Sequence, residues 1–284
     1  QSPTVPAVTR FAPGVIPATV PNCTGPAFLP NGRTVIFTAA PPDFSSDGLY
    51  ISQQRNGKWT TPMPAPFSGH FRNLEAAMAP SGKFLIFASN RPSQAGGPTL
   101  TGHYNGKALP DHGGHLWRVA RSGSGWDQVV ELPDSINSTD SVFSPAVTGD
   151  GSLYFMHAVE GGDFHIYRSA LAHGVYQTPK PAAFSQTKYP DFDPAVAADE
   201  SYVIFSSPRP PAPPHTSDLF IVFRTSKGWS APLDLRDAIS PQVYGIEARL
   251  SPAGRTLYFT HSAPDKTNPI WQVSLASVLA HRPQ

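Results

Sequence analysis

The stretch EAAMAPSGKFLIFASNRP, residues 75–92, joins a short apolar run, a Pro-Ser-Gly turn and a second apolar run that ends at Phe87. The glycine supplies the positive φ that a tight hairpin turn requires, and apolar runs on both sides are typical of two paired β-strands. The stretch opens with a single acid, Glu75, where the chain otherwise becomes apolar. It therefore predicts a β-hairpin whose first strand begins with a carboxylate.

The same hairpin pattern occurs five times along the chain. The last aromatic residue of the second strand is found at Phe37, Phe87, Phe155, Phe205 and Phe259, at intervals of 50, 68, 50 and 54 residues. A period close to fifty residues is typical of repeat folds, in which each unit buries its apolar faces against its neighbours. The longest interval indicates an insertion in the second repeat.

Each repeat continues with a third strand, such as GLYISQ or HLWRVA, and four repeats then add a glycine turn, an aromatic residue and a fourth strand. The fifth repeat stops after three strands, but residues 8–16 match the missing outer strand. Pairing the two ends would close the ring and remove an exposed sheet edge. We therefore predict an all-β fold: a five-bladed β-propeller of four-stranded antiparallel blades, closed by the N-terminal strand. The predicted blades cover approximately residues 25–66, 75–133, 144–183, 193–235 and 247–276 of a single domain, 1–284.

The segments LPNGRTVIFTA, TGDGSLYF and LSPAGRTLYFTHS resemble the WD-like repeats of TolB-type propellers, which occur in many exported bacterial proteins. The resemblance covers essentially the whole chain and implies a periplasmic or secreted protein. The start QSPTVPAV, without an initiator methionine, is what a chain looks like after removal of a signal peptide. Such repeats occur in binding proteins, sensors, scaffolds and some polysaccharide-degrading enzymes, so the resemblance does not fix the function.

Composition excludes several classes of partner. The formal net charge is +1 and charged residues make up 14% of the chain, against roughly 25% in typical soluble domains. We therefore expect no nucleic-acid partner and no attraction to an acidic membrane surface. No window approaches the roughly 20 apolar residues of a spanning helix, and the single cysteine, Cys23, excludes an internal disulfide. A closed ring has no free edge that requires a second copy, so we expect a monomer.

Counting back from the five aromatic anchors identifies one equivalent position at the start of each inner strand. The residues at this position are Gly25, Glu75, Ser144, Asp193 and Glu247. We predict that they ring the mouth of the central channel on the upper face, which carries the connections between blades. The acids could bind calcium, which prefers oxygen ligands, or serve as the catalytic groups of an enzyme. Alternatively, they only accept hydrogen bonds from backbone amides or from an arginine such as Arg249.

Further candidates fall on the same upper face. His157 and His261 end second strands and are catalytic candidates. The candidate ligand-binding residues are His70, Arg91, Arg209, Tyr104, Tyr189, Tyr244 and Arg249, of which the tyrosines could stack on sugar rings. The insertion contains His103, His112 and His115, and imidazoles suit a transition metal such as zinc, copper, iron or nickel. A glycine-rich loop without metal is the alternative interpretation of that insertion.

Three functions remain open on these residues. The first is a binding module that recognises a glycan, a small molecule, a peptide or a partner protein at the channel mouth. The second is a glycan-active enzyme. Five-bladed furanosidases resemble the predicted architecture, with Glu75 as the acid and Asp193 and Glu247 as base and pKa modulator. TolB-like polysaccharide lyases suggest a metal-dependent variant with a histidine base. The third is a subunit that docks another protein of the cell envelope.

Overall fold

The computed structural model describes residues 6–16, 22–41, 46–123, 125–158, 162–185, 188–261 and 267–282. Within these ranges, five main antiparallel sheets succeed one another along the chain, and the innermost strand of each sheet lies against those of its neighbours. This arrangement confirms the predicted five-bladed β-propeller.

The strands are grouped by blade, apart from the first, β1 (Thr9–Arg10), which belongs to the last blade. Blade 1 contains β2 (Asn22–Phe28), β3 (Thr34–Ala40), β4 (Gly48–Arg55), β5 (Lys58–Trp59) and β6 (Met63–Pro64). Blade 2 contains β7 (Asn73–Met78), β8 (Phe84–Ser89), the extra hairpin β9 (Gly102–Tyr104) and β10 (Lys107–Leu109), then β11 (His115–Ser122) and β12 (Gly125–Glu131).

Blades 3 to 5 follow the same plan. Blade 3 contains β13 (Val142–Val147), β14 (Leu153–Ala158), β15 (Phe164–Ser169), β16 (Leu171–Ala172), β17 (Val175–Tyr176), β18 (Lys180–Pro181) and a 3-10 turn (Ala183–Ser185). Blade 4 contains β19 (Phe192–Val196), β20 (Tyr202–Ser207), β21 (Asp218–Thr225), β22 (Gly228–Trp229), β23 (Leu233–Asp234) and the helix α1 (Leu235–Ala238). Blade 5 contains β24 (Ile246–Leu250), β25 (Thr256–Thr260) and β26 (Ile270–Ser274), followed by the helix α2 (Ala276–Ala280).

The two ends of the described chain close the ring. Strand β1 pairs with β26 in the order β1-β26-β25-β24, with Thr9 opposite Gln272 and Arg10 opposite Trp271. This pairing confirms that the N-terminal strand completes the last blade. The strand is shorter than the predicted 8–16, because the chain bends and turns at residues 11–15.

The apolar core is divided among the junctions between blades. The five anchor phenylalanines are fully buried (0% exposed), and five clusters of buried side chains each combine residues of two neighbouring blades. Both faces of each sheet carry apolar residues, so each blade needs a neighbour on either side to bury them. A closed ring provides two neighbours for every blade.

One backbone hydrogen bond repeats at all five junctions, between the start of a third strand and the chain entering the next blade. The donor and acceptor pairs are Asn73 N and Asp47 O, Val142 N and Gly114 O, Asp191 N and Phe164 O, Gly245 N and Ser217 O, and Cys23 N and Asn268 O, at 2.9 to 3.0 Å. Because the same bond joins each pair of neighbouring blades, all five blades have the same position relative to the next one at the upper face.

The long insertion of blade 2 is folded. Its hairpin β9–β10 is fastened to blade 3, where the His103 amide donates to Ser141 Oγ at 2.8 Å and the Asn105 amide donates to Gly162 O at 3.2 Å. The ring of Tyr104 packs against Phe143 and Phe164, with centroids 6.2 and 5.0 Å apart. No helix in the described ranges is long and apolar enough to cross a membrane.

Candidate functional site

The five predicted channel residues occupy one structural position. Each inner strand contains a β-bulge at which its register to the second strand shifts. The residues with positive φ at these bulges are Gly25, Glu75, Ser144, Asp193 and Glu247, with φ between 45° and 56°. They are the second to fourth residues of their strands, because a bulge interrupts strand pairing without ending the strand. Left-handed backbone is unusual for acids and serine and is found where a side chain must be aimed in a particular direction.

These residues form a closed circle of hydrogen bonds across the five blade junctions, which we call the acid ring. The Glu75 amide donates to Thr38 Oγ1 at 2.9 Å, and the Ser144 amide donates to Glu75 Oε2 at 2.7 Å. The Ser144 hydroxyl donates to Asp193 Oδ1 at 2.7 Å, and the Glu247 amide donates to Asp193 Oδ2 at 2.9 Å. The circle is completed at blade 1 by the Thr24 hydroxyl, which hydrogen-bonds to the Glu247 carboxyl.

The acid ring is buried and its glutamates hold protons tightly. Glu75 is 7% exposed. Burial, together with the negative charges of Asp193 and Glu247, raises the pKa of Glu75 to about 8 against the pull of Arg249 and the Ser144 amide. Burial and Asp193 likewise raise the pKa of Glu247 to about 7. The protonated form of the Glu75 carboxyl is therefore favoured at neutral pH.

The sequence interpretation missed the hydroxyl partners of the ring. Thr38 directly follows the anchor Phe37, and Thr24 directly precedes Gly25. Both hydroxyls are on blade 1, which contributes glycine instead of an acid to the ring. This distribution was visible in the sequence as a pair of threonines flanking the glycine hairpin, but the bonds run between blades and so depend on the closed fold.

Replacing Gly25 by alanine is expected to lower the free energy of unfolding by about 1–3 kcal/mol. A Cβ at Gly25, whose φ is +56°, would lie 3.0 Å from Glu247 Oε2 and 3.7 Å from Arg249 Nη2. The matched control is Gly57→Ala, where φ is +76° and a Cβ would meet no atom within 4 Å. Urea unfolding of both variants separates the backbone strain from the contact, and equal losses would contradict a role for the Glu247 contact.

On the upper side of the ring, Tyr104 lies near two charged residues. Burial raises the pKa of the Tyr104 phenol, Arg72 lowers it and Glu75 raises it. Arg72, which the sequence interpretation did not include, forms an ion pair with Asp47 and donates to Asp111 O of the insertion at 3.3 Å. The insertion therefore brings a phenol to the same side of the channel as the Glu75 carboxyl and the Arg72 guanidinium.

The two strand-end histidines have different surroundings. His157 is 7% exposed, its Nε2 lies 3.2 Å from Thr139 Oγ1, and burial lowers its pKa. His261 is half-buried and stacks between Tyr244 and Trp271, with centroids 4.3 and 4.8 Å apart and interplanar angles of 18° and 8°. His261 and Tyr244 are thus brought together, whereas His157 is enclosed in blade 3.

The two predicted loop arginines are equivalent and fold back onto their own blades. Arg91 Nε donates to Ser89 Oγ at 3.0 Å, and Arg209 Nε donates to Ser207 Oγ at the same distance. Arg91 Nη2 then donates to Asn73 Oδ1 at 2.7 Å. Their guanidinium groups also lie over aromatic rings of the same blades. These contacts engage both side chains within the protein.

The remaining predicted residues do not converge. His70, His103 and His112 are exposed, and His112 Nδ1 lies 2.8 Å from Pro110 O. His115 is buried, with Nδ1 2.5 Å from Glu131 and Nε2 3.1 Å from Asp140. Tyr189 is half-buried beside Lys188. Among the described residues, no three His, Cys, Asp or Glu side chains are grouped closely enough to hold a metal ion.

Arg249 lies below the acid ring and not at the upper mouth. It is 5% exposed, its Nη1 donates to Ala248 O at 2.7 Å, and none of the described residues forms an ion pair with it. Within the described residues, Arg249 therefore does not form the contact to a ring acid that the alternative interpretation of the ring allowed. Arg249 lines a cavity that opens on the face opposite the insertion.

No family model and no curated protein matches the chain. Among solved structures, a thermostable family-43 glycoside hydrolase matches with 12% identity and a TM-score of 0.60, over 94% of this chain and 91% of that one. A protein of unknown function from Dyadobacter fermentans matches with 16% identity and a TM-score of 0.53, over 98% and 86%. A putative TolB from Agrobacterium tumefaciens matches with 14% identity and a TM-score of 0.51, over 84% and 69%.

Identities this low show a common fold and carry no function with them. The TolB-type resemblance seen in the repeats is confirmed at that level: the chain is a five-bladed β-propeller that shares its fold with a TolB-like protein and with a glycoside hydrolase.

Proposed function

We propose that this protein is an exported ligand-binding propeller that holds a hydroxyl-rich ligand, such as a glycan, at the upper mouth of its channel. The observation that carries the proposal is the folded insertion: Arg72 donates to Asp111 O at 3.3 Å, and the Tyr104 ring packs against Phe164 with centroids 5.0 Å apart. The charges of Arg72 and Glu75 both act on the Tyr104 phenol there. A phenol, a protonated carboxyl and a guanidinium provide both donors and acceptors for sugar hydroxyls. Export is inferred from the resemblance of the repeats to those of exported bacterial propellers.

An exposed aromatic ring supports a sugar ligand. Phe71 is 37% exposed in the connection between blades 1 and 2, and Arg91 lies 5.4 Å from its ring centroid. Aromatic faces next to polar groups are typical of ligand sites that need one apolar and several polar contacts. Phe71 and Tyr104 could therefore contact the ligand from two different connections of the upper face.

A glycan array, followed by calorimetric titration of the glycan that binds best, tests this proposal. Glu75→Gln and Phe71→Ala are each expected to weaken binding about tenfold, which corresponds to about 1.4 kcal/mol. The matched control is Lys83→Ala, an exposed residue of the β7–β8 turn on the opposite face, which should bind as the wild type does. Binding that survives both upper-face variants, or no glycan binding at all, would contradict the proposal.

A glycoside hydrolase is the second candidate, and the two raised pKa values favour it. Glycosidases need one carboxyl that carries a proton and another that is ionised, and the raised pKa of Glu75 suits the first of these two roles. Against it, both carboxylate oxygens of Asp193 accept hydrogen bonds that join blades. Release of the chromophore from aryl glycosides, lost in Glu75→Gln and Asp193→Asn, would establish turnover. Unsaturated uronate products, detected by ultraviolet absorbance, would instead indicate a lyase.

A further inference from the structure

Below the acid ring, the inner strands line an apolar cavity of about 510 Å³, which we call the funnel. Its walls are the lower halves of the five inner strands, and its rim is formed by the turns between inner and second strands. The volume lies within the roughly 300–1,000 Å³ range of small-molecule sites. The sequence interpretation assigned no site to this face.

The repeat register explains both the space and the charge in the funnel. Two residues after each member of the acid ring, four blades have alanine and the fifth has arginine: Ala27, Ala77, Ala146, Ala195 and Arg249. All five line the cavity. Four blades therefore place only a methyl group at this position, whereas blade 5 places a guanidinium, whose Nη2 would lie 3.7 Å from a Cβ at Gly25.

Arg249 has hydrogen-bonding capacity that the described residues do not use. Its Nη1 donates to Ala248 O, but Nε and Nη2 are buried and have no partner among the described residues. A guanidinium has five N–H donors in a fixed plane. Burial of a cation without a hydrogen-bonded partner is costly. The unpartnered nitrogens therefore identify a place where a bound acceptor would be stabilised.

We infer that the funnel binds a small carboxylate with an apolar body, whose carboxylate pairs with Arg249. The planar guanidinium matches a carboxylate through two parallel hydrogen bonds. The apolar walls, which include Met78, Val147 and Leu250, require an apolar body behind the charged end. The carboxyl groups of the acid ring lie above Arg249, so a singly charged anion is repelled less than a doubly charged phosphate.

Calorimetric titration with octanoate tests the assignment on the intact protein. Octanoate is expected to bind, and Arg249→Gln is expected to weaken binding about tenfold or more, since a charge-assisted pair is lost. Octylamine has the same apolar body with the opposite charge and should not bind measurably. Octyl phosphate should bind more weakly than octanoate, and tighter binding of octyl phosphate would overturn the choice of a carboxylate.

A second variant separates loss of the site from loss of the fold. Ala77→Leu narrows the funnel from blade 2 without removing the guanidinium, and it is expected to weaken octanoate binding by a similar factor. Lys83→Ala, outside the funnel on the same face, should leave binding unchanged. Circular dichroism and cooperative unfolding establish that each variant is folded. Failure of octanoate to bind at millimolar concentration, or equal binding by wild type and both funnel variants, would overturn the inference.

The proposal of glycan binding at the upper face can be tested independently of carboxylate binding in the funnel. Phe71→Ala, which lies on the upper face, should leave octanoate binding unchanged, and Ala77→Leu should leave glycan binding unchanged. Loss of glycan binding alone would therefore remove the first site and leave the funnel in place.

Discussion

Replacing Arg209 by methionine is expected to lower the free energy of unfolding by about 3–5 kcal/mol, the usual result of leaving a buried charge without its partner. Asp191 is fully buried (0% exposed), and Arg209 Nη2 donates to its Oδ1 at 2.5 Å. Removal of the guanidinium would leave the buried Asp191 carboxylate without its partner in the connection that enters blade 4. Because total stabilities are about 5–15 kcal/mol, a shift of this size is readily measured by urea unfolding followed by circular dichroism.

The chain supplies its own control in the equivalent position of blade 2. Arg91 makes the same bond to a serine hydroxyl, but its Nη2 donates to the neutral amide oxygen of Asn73, where blade 4 has the carboxylate of Asp191. Arg91→Met should therefore cost only about 1–2 kcal/mol. Similar losses in the two variants would contradict a role for the charge. The double variant Arg209→Met with Asp191→Asn should recover much of the loss, because no buried charge then remains.

The fold could be predicted because each repeat encodes its own blade locally. Anchors such as Phe37 and Phe259 recur at a period that admits few architectures, and the hairpin glycines mark where strands turn. The position of Glu75 in the acid ring also followed from counting back from Phe87. What counting could not supply is the circle of bonds between blades, since the amide of Ser144 and the carboxyl of Glu75 meet only when the ring is closed.

Whether a residue lies above or below the acid ring was harder to predict than its position along the strand. Arg249 is two residues from Glu247, and the sequence interpretation grouped them as partners. At about 3.3 Å per residue, two positions along an inner strand amount to roughly 7 Å, so the backbone of Arg249 lies among the residues that line the funnel, while its Nη2 stays close to Gly25 of the ring. The alternation of four alanines with one arginine was present in the sequence. Its meaning depends on knowing that the five positions face one cavity.

The insertion histidines show a different limit. His103, His112 and His115 are close in sequence, but His103 lies in β9 of the hairpin, whereas His112 and His115 follow β10. His115 begins β11 and is held by Glu131 and Asp140, which lie on the outer strand and on the connection to blade 3. Sequence proximity in a folded loop therefore does not imply a common ligand. Long-range partners, which no local pattern encodes, determine where each imidazole points.

The free energy of unfolding is expected to decrease as the pH rises from 5 to 8. The folded-state pKa values of Glu75 and Glu247, about 8 and about 7, exceed the ordinary value of 4.5. The folded chain therefore binds more protons than the unfolded chain in this range, so its stability is greatest at low pH and is lost as the pH rises through the folded-state values. Since each unit of pKa difference corresponds to about 1.4 kcal/mol, the interacting carboxyls of Glu75 and Glu247 should together contribute a loss on the order of a few kcal/mol.

The comparison of wild type with Glu75→Gln isolates this contribution from other titrations, including that of His157, whose lowered pKa acts in the opposite direction between pH 5 and 7. Glutamine keeps the acceptor for the Ser144 amide but cannot ionise, so its stability should fall less with pH and exceed that of the wild type at pH 8. The matched control is Glu200→Gln, because Arg168 holds the pKa of Glu200 below its usual value, outside this range. Urea midpoints at pH 5, 6.5 and 8 measure all three proteins. If the free energy of unfolding of Glu75→Gln changed with pH as steeply as that of the wild type, the Glu75 carboxyl would not be the group that titrates. The protonated carboxyl proposed for glycan binding and for hydrolysis would then have to be another residue of the ring.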